Sequence, residues 1–163
     1  MVIGNPYCFA IVWDVVKKWN IDHTFQNGIL FFLVNAELFP KDIISATLES
    51  EIPRLKKSLE NIVVNEKLYD MHKTEAFNEM YNITFPCCDN GENDYRYIIS
   101  TPSLLDNDYF VFAVSNGKSV RILVSQLNYM PEEAKREWSD IAISETFISV
   151  QELGEIASLL KLS

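Results

Sequence analysis

Histidine and cysteine are scarce in this chain, and little metal or thiol chemistry can be built from what is there. There are two histidines, His23 and His72, and three cysteines, Cys8, Cys87 and Cys88. Two adjacent cysteines are poor metal geometry, and no Cys-x-x-Cys pair exists to complete a zinc site. An odd cysteine count argues against a secreted disulfide framework. Only five glycines are present, and none forms the glycine-rich loop that cradles a phosphate. The longest apolar runs, such as 29–34, are far shorter than the roughly 20 residues that cross a bilayer. The N-terminal residues lack the basic, apolar and small-residue regions of a signal peptide. The expected location is therefore the cytoplasm, without membrane attachment. Basic charge is short as well: 14 Lys and Arg face 23 Asp and Glu, a net −9. Direct nucleic-acid binding needs a basic patch for phosphates and is not expected. The acidity aids solubility, and it also suits a partner that is itself basic, as nucleases tend to be.

What the chain does have is apolar bulk. Its 163 residues fit one domain, numbered 1–163, and 48% are hydrophobic, with ten Phe, seven Tyr and three Trp. A chain of this size buries roughly two thirds of its unfolded surface and needs no metal or disulfide staple. The first quarter is rich in β-branched and aromatic residues and reads as an antiparallel meander. The run 9–16 is the first expected strand, apolar at nearly every position except Asp14. Runs 30–34 and 37–39 read as one hairpin, with Asn35 at a sharp turn that tolerates left-handed geometry. Residues 43–48 form a fourth strand or a short helix. A helix is expected over 51–62, with Pro53 in its first turn and Ile52, Leu55, Leu59 and Ile62 on one face.

Between 66 and 81 two apolar groups share helical spacing but do not align as one stripe, which predicts a break between two helical pieces. Residues 87–94 form the clearest loop. A strand over 95–99 and a loop over 102–108 follow. Runs 109–114 and 119–124 flank Asn116-Gly117, the strongest hairpin signal in the chain. Residues 128–140 are polar, with a helical turn or two possible over 132–138. A last short strand covers 146–148. Ser149 with Glu152 three residues on then reads as a capping box, opening a helix with Val150, Leu153, Ile156, Ala157 and Leu160 as its stripe.

Candidate chemistry is thin. Cys87 or Cys88 with His72 offers a thiol nucleophile and a base, but ordinary thiols beside a strand or loop are the better account of them. His23 follows Asp22 in a polar turn and lacks further ligands by spacing. The pairs Glu132/Glu133 and Asp106/Asp108 imitate an acid–base pair or a cation site, but their spacing in polar segments is that of solvated surface. No catalytic, cofactor-binding or metal residue is assigned, and no cofactor is expected. The densest feature lies between 86 and 108, where Asp89, Glu92, Asp94, Asp106 and Asp108 face one base, Arg96. Tyr95, Tyr97 and Tyr109 lie among these acids. Aromatic anchors beside steering charge make up a protein-binding surface, and Asp89, Glu92, Asp94, Tyr95, Asp106, Asp108 and Tyr109 are its candidate residues. The alternative is a plain acidic loop with core tyrosines.

The order Gly4-Asn5-Pro6, Phe9-Ala10-Ile11, Trp13-Asp14, Trp19-Asn20, Asn27-Gly28 resembles the opening of the bacterial Immunity protein 42 family. The likeness is good over the first quarter and looser through 108–124 and 147–162. Such proteins are small intracellular antidotes encoded beside polymorphic or contact-dependent inhibition toxins. The resemblance implies a non-enzymatic protein that binds the C-terminal domain of one cognate toxin and blocks it, by occluding the active or substrate-binding site. The expected fold is α+β, a single domain with a mainly antiparallel sheet of about six strands and two or three helices packed on one face. Two other readings stay open: a self-associating structural or adaptor module using an exposed sheet edge, and a small hydrolase relying on Cys87 or Cys88. Monomer and homodimer are equally compatible with the sequence.

Overall fold

The computed structural model describes residues 1–20, 25–86, 91–127 and 141–162. The fold is α+β, as expected. The described residues hold eight strands in two antiparallel sheets, where the sequence suggested about six strands. The first sheet comprises β1 (Val2–Asn5), β2 (Phe9–Val15), β3 (Asn27–Val34), β4 (Glu37–Phe39) and β5 (Ala46–Thr47). The order is β1-β2-β3-β4, and the short β5 also pairs with β3. Strand β1 is an addition to the expected set: residues 2–5 pair with Phe9 through Val12, so residues 6–8 form a tight turn.

The residues that carried the family resemblance build this meander. Asn5 accepts the Tyr7 N–H at 3.0 Å and shapes the first turn. The Asn20 side chain donates to the Val16 and Asn27 carbonyls and accepts the Asn27 N–H, closing the β2–β3 connection. Gly28 sits where a Cβ would lie 2.0 Å from the Asp14 carbonyl oxygen, so β2 and β3 approach only because that atom is missing. Asn35 and Ala36 take φ of 51° and 64°, the left-handed turn expected at this hairpin.

The second sheet has order β6-β7-β8, from β6 (Tyr109–Ser115), β7 (Ser119–Gln126) and β8 (Ser144–Ser149). The Asn116-Gly117 hairpin is present: the Asn116 carboxamide oxygen accepts the Lys118 and Ser119 N–H groups, and Gly117 has φ 90°. Strands β6 and β7 are buried at nearly every position because both faces are covered. One face, with Val111, Ala113, Val120 and Ile122, joins the core shared with the first sheet and helices α1 (Leu48–Glu60) and α5 (Val150–Leu159). The other, with Phe112, Val114 and Leu123, packs against α2 (Glu66–Asp70) and α3 (Lys73–Thr84). The helices thus divide between two cores.

Helix α1 begins earlier than expected, at Leu48. Buried Glu51 reaches back to the Thr47 N–H at 3.2 Å and accepts the Ser103 hydroxyl at 2.6 Å, which fixes that start. Pro53 therefore falls in the second turn instead of the first. The predicted break inside 66–81 lies between α2 and α3. The Ser149–Glu152 capping box is formed, with α5 running from it. Two expectations fail. Residues 95–99 are not a strand: Asp94 accepts the Arg96 N–H and winds Tyr95–Tyr97 into a 3₁₀ turn, leaving Ile98 alone to bridge Phe112. Residues 102–108 are not all loop, because Pro102 starts a one-turn helix, α4 (Pro102–Leu105), at the position where proline is favoured. The polar stretch 128–140, with its Glu132/Glu133 pair, lies outside the described residues.

Arg121 ties the second sheet to α2 and α3. It is the one charged residue within the apolar run of β7 and is 4% exposed. Its guanidinium meets Glu145 at 2.5 Å and donates to the Tyr69 and Met71 carbonyls at 2.8 and 2.6 Å. Those carbonyls end α2 and precede α3, so one side chain fastens the helical pair to the sheet.

Candidate protein-binding surface

The expected acidic surface divides in the structure. Glu92, Asp94 and Tyr95 lie on the chain that leaves α3, and the Asp94 N–H donates to the Ile83 carbonyl at 3.2 Å. Arg96 pairs with Asp94 at 2.6 Å and holds its carboxyl below the ordinary carboxylate range. That pair cancels one of the acids locally. Tyr95 is 56% exposed, with its hydroxyl accepting from the Asn93 side chain at 2.9 Å. Its ring meets Phe85 edge-on at 6.2 Å, and Phe85 in turn packs on Phe110 and Tyr81 at 5.6 and 5.3 Å. Tyr95 is thus the outermost ring of an aromatic cluster, a suitable place for an anchor.

Asp106 and Asp108 are exposed in the turn that follows α4 and feeds β6, and Asp108 has φ 62°. Among the described residues Glu92, Asp106 and Asp108 form no ion pair. Tyr109 corrects the expectation of a surface anchor. It is 2% exposed, packs edge-on against Phe39 at 6.4 Å, and accepts the Lys41 N–H through its hydroxyl at 3.0 Å. Strand parity, which the sequence left undecided, turns this ring into the core. Tyr97 is likewise buried, its hydroxyl accepting from Asn65 at 3.0 Å. Asp89, Cys87, Cys88, Asp22 and His23 lie outside the described residues.

The described residues assemble no reactive constellation. No group of three or more His, Cys, Asp and Glu among them is placed to hold a metal ion. His72 is an exposed residue at the start of α3, and its carbonyl accepts the Ala76 N–H.

Sequence reasoning missed a cleft of 430 Å³ between β1, β8 and α5. Ile3, Phe147, Ile148, Ile156 and Leu159 line it, with Glu152 and Glu155 along the helix side. Gly4, at φ 101°, lets β1 lie close on α5, since a Cβ there would stand 2.9 Å from the Ile156 Cδ1. Cys8 reaches across to β8, its thiol donating to the Phe147 carbonyl at 3.0 Å. The contributing segments are about 140 residues apart; the sequence marked Glu152 as a capping acid and Ile156 on a helix stripe, but not that they share a cleft with Ile3 and Phe147.

Exposed acids, an exposed tyrosine and an apolar cleft are the equipment of a protein-binding protein. The profile of Immunity protein 42 matches residues 1–162, and the chain belongs to that family. Its fold is also similar to the crystal structure of CdiI from Burkholderia dolosa, with a TM-score of 0.79 and 25% identity, covering 97% of this chain and 96% of that one. No curated protein matches the chain. Membership makes toxin-neutralising immunity the function class, with a cognate toxin as partner. No helix among the described residues is long and apolar enough to cross a membrane.

Proposed function

We propose that this protein acts in the cytoplasm as a non-enzymatic inhibitor, a single domain that binds the C-terminal domain of its cognate toxin and occludes its active or substrate-binding site. The toxin is a basic protein, and a nuclease is the class that fits best. The observation that carries the nature of the partner is the net charge of −9. A nuclease must hold a polyanion, so its substrate site is basic, and an acidic protein competes for that site. Asp89, Glu92, Asp94, Asp106 and Asp108 contribute the steering field, with Tyr95 as the exposed anchor. Opposite charge raises association rates, to roughly 10⁸ M⁻¹s⁻¹ or more at low salt.

The test is association kinetics with the neighbouring-gene toxin domain at two salt concentrations, for the wild type and for a variant with those five acids changed to Asn or Gln. The variant should associate more slowly, with a flatter salt dependence and little change in dissociation. Unchanged association at low salt removes this acidic segment from the steering role. A toxin domain that is not basic removes the nuclease assignment.

A further inference from the structure

We propose that the cleft between β1, β8 and α5 is the docking pocket for a toxin segment carrying a bulky apolar side chain next to a lysine or arginine. The inference rests on the immunity reading and specifies where the partner's anchor seats.

The apolar wall is the first argument. Ile3, Ile148, Ile156 and Leu159 line the pocket, and Leu159 is 54% exposed at its edge. Phe147 borders the pocket along β8, while its ring packs edge-on against Tyr69 at 5.8 Å. The lining is gathered from β1, β8 and α5. Apolar surface brought together from distant segments marks an interaction site more than scattered surface residues do. A volume of 430 Å³ takes one large side chain with part of its backbone. That is the geometry of a hot spot, where a few desolvated anchors carry most of the affinity.

Charge chooses the occupant. The pocket's charged lining residues are Glu152 and Glu155, and no basic residue lines it. Three residues apart on α5, these two carboxylates are neighbours on one helix face and repel each other. Neither has an ion-pair partner among the described residues: Glu152 is hydrogen-bonded to Ser149 and Glu155 to Gln151. A cation on the incoming segment relieves the repulsion. A second copy of this chain does the opposite, because it brings another net −9 and its own glutamates to the contact. The pocket therefore selects a basic foreign segment over self-association.

The experiment uses the full chain and the purified toxin domain encoded by the gene next to its own. Glu155 and Leu159 are surface residues lining the pocket, so the double variant Glu155→Lys, Leu159→Ser tests it without opening the core. It should bind at least 100-fold more weakly than wild type while melting within a few degrees of it. Hydrogen exchange on the wild-type complex gives a second readout that needs no variant: amides of residues 3–8 and of α5 should gain protection. Wild-type affinity in the double variant, or no protection at these amides, overturns the pocket assignment. A concentration-dependent dimer that protects the same amides without toxin also overturns it, in favour of a second copy. If the wild type itself fails to bind the toxin domain, the immunity reading fails, a result distinct from all of these.

Discussion

Replacing Arg121 by alanine should be among the most damaging single changes in the chain. The guanidinium is 4% exposed and serves Glu145 and the Tyr69 and Met71 carbonyls at once. Glu145 is 24% exposed and can turn to water. The two carbonyls sit where α2 gives way to α3, and stranding a buried acceptor costs about 1–3 kcal/mol each. Removing one member of a buried charged pair typically costs about 3–5 kcal/mol in all, and that is the expected loss here. For a chain of this length each kcal/mol moves the melting temperature by about 2–4 °C, so Arg121→Ala should melt about 6–20 °C lower. Urea titration should show a lower midpoint at an unchanged slope if the fold loosens without a change in the denatured state. Hydrogen exchange should quicken first in α2 and α3, the pair that Arg121 fastens to β7. A loss below about 1 kcal/mol, or faster exchange confined to the first sheet, would refute the pinning role.

Other changes have equally definite outcomes. Ala36→Gly should stabilise by about 0.5–1 kcal/mol, because Ala36 holds φ 64° in the β3–β4 turn, and a thermal melt reads it. Gly28→Ala should destabilise by about 2 kcal/mol or more, since the new methyl would stand 2.0 Å from the Asp14 carbonyl oxygen, and the same melt checks it. Three carboxyls are held below their ordinary values: Glu37 by Lys41 and then Ser144, Asp94 by Arg96, and Glu152 by Ser149. A depressed carboxyl stabilises the fold above its unfolded pKa, and that contribution disappears as pH falls through the folded value. Melts should therefore be level from neutral pH down to about 5 and decline below about 4.5, only gently because these groups are exposed. A gain in stability below pH 4 would contradict the sign.

The hairpins and the capping box were legible because each is written in a few adjacent residues. Asn35, Asn116-Gly117, and Ser149 with Glu152 act through local backbone geometry, and each does in the structure what its chemistry dictates. That β6 and β7 are buried on both faces was not read from the sequence, where Ser119, Arg121 and Ser125 break the apolar pattern of β7. The segment after Asp94 misled because alternating Tyr95-Arg96-Tyr97 reads as a strand, whereas the Asp94 side chain competes for the backbone and wins. Tyr109 shows the limit for the candidate site: whether it was anchor or core depended on strand parity at β6, and its hydroxyl partner lies 68 residues away in sequence. Arg121 gave no signal beyond a charge inside an apolar strand, since its partners come from Tyr69, Met71 and Glu145. The cleft beside α5 was invisible for the same reason, being assembled from the two ends of the chain.

The central claim is that this acidic protein neutralises a basic toxin by covering the site the toxin works with. Its most direct test is the activity of the neighbouring-gene toxin domain on nucleic acid, titrated with the purified full chain. The account predicts that cleavage falls linearly and stops at about one equivalent, and that excess substrate slows the onset of inhibition. Undiminished cleavage at several equivalents, with the chain folded and the toxin active, would contradict it.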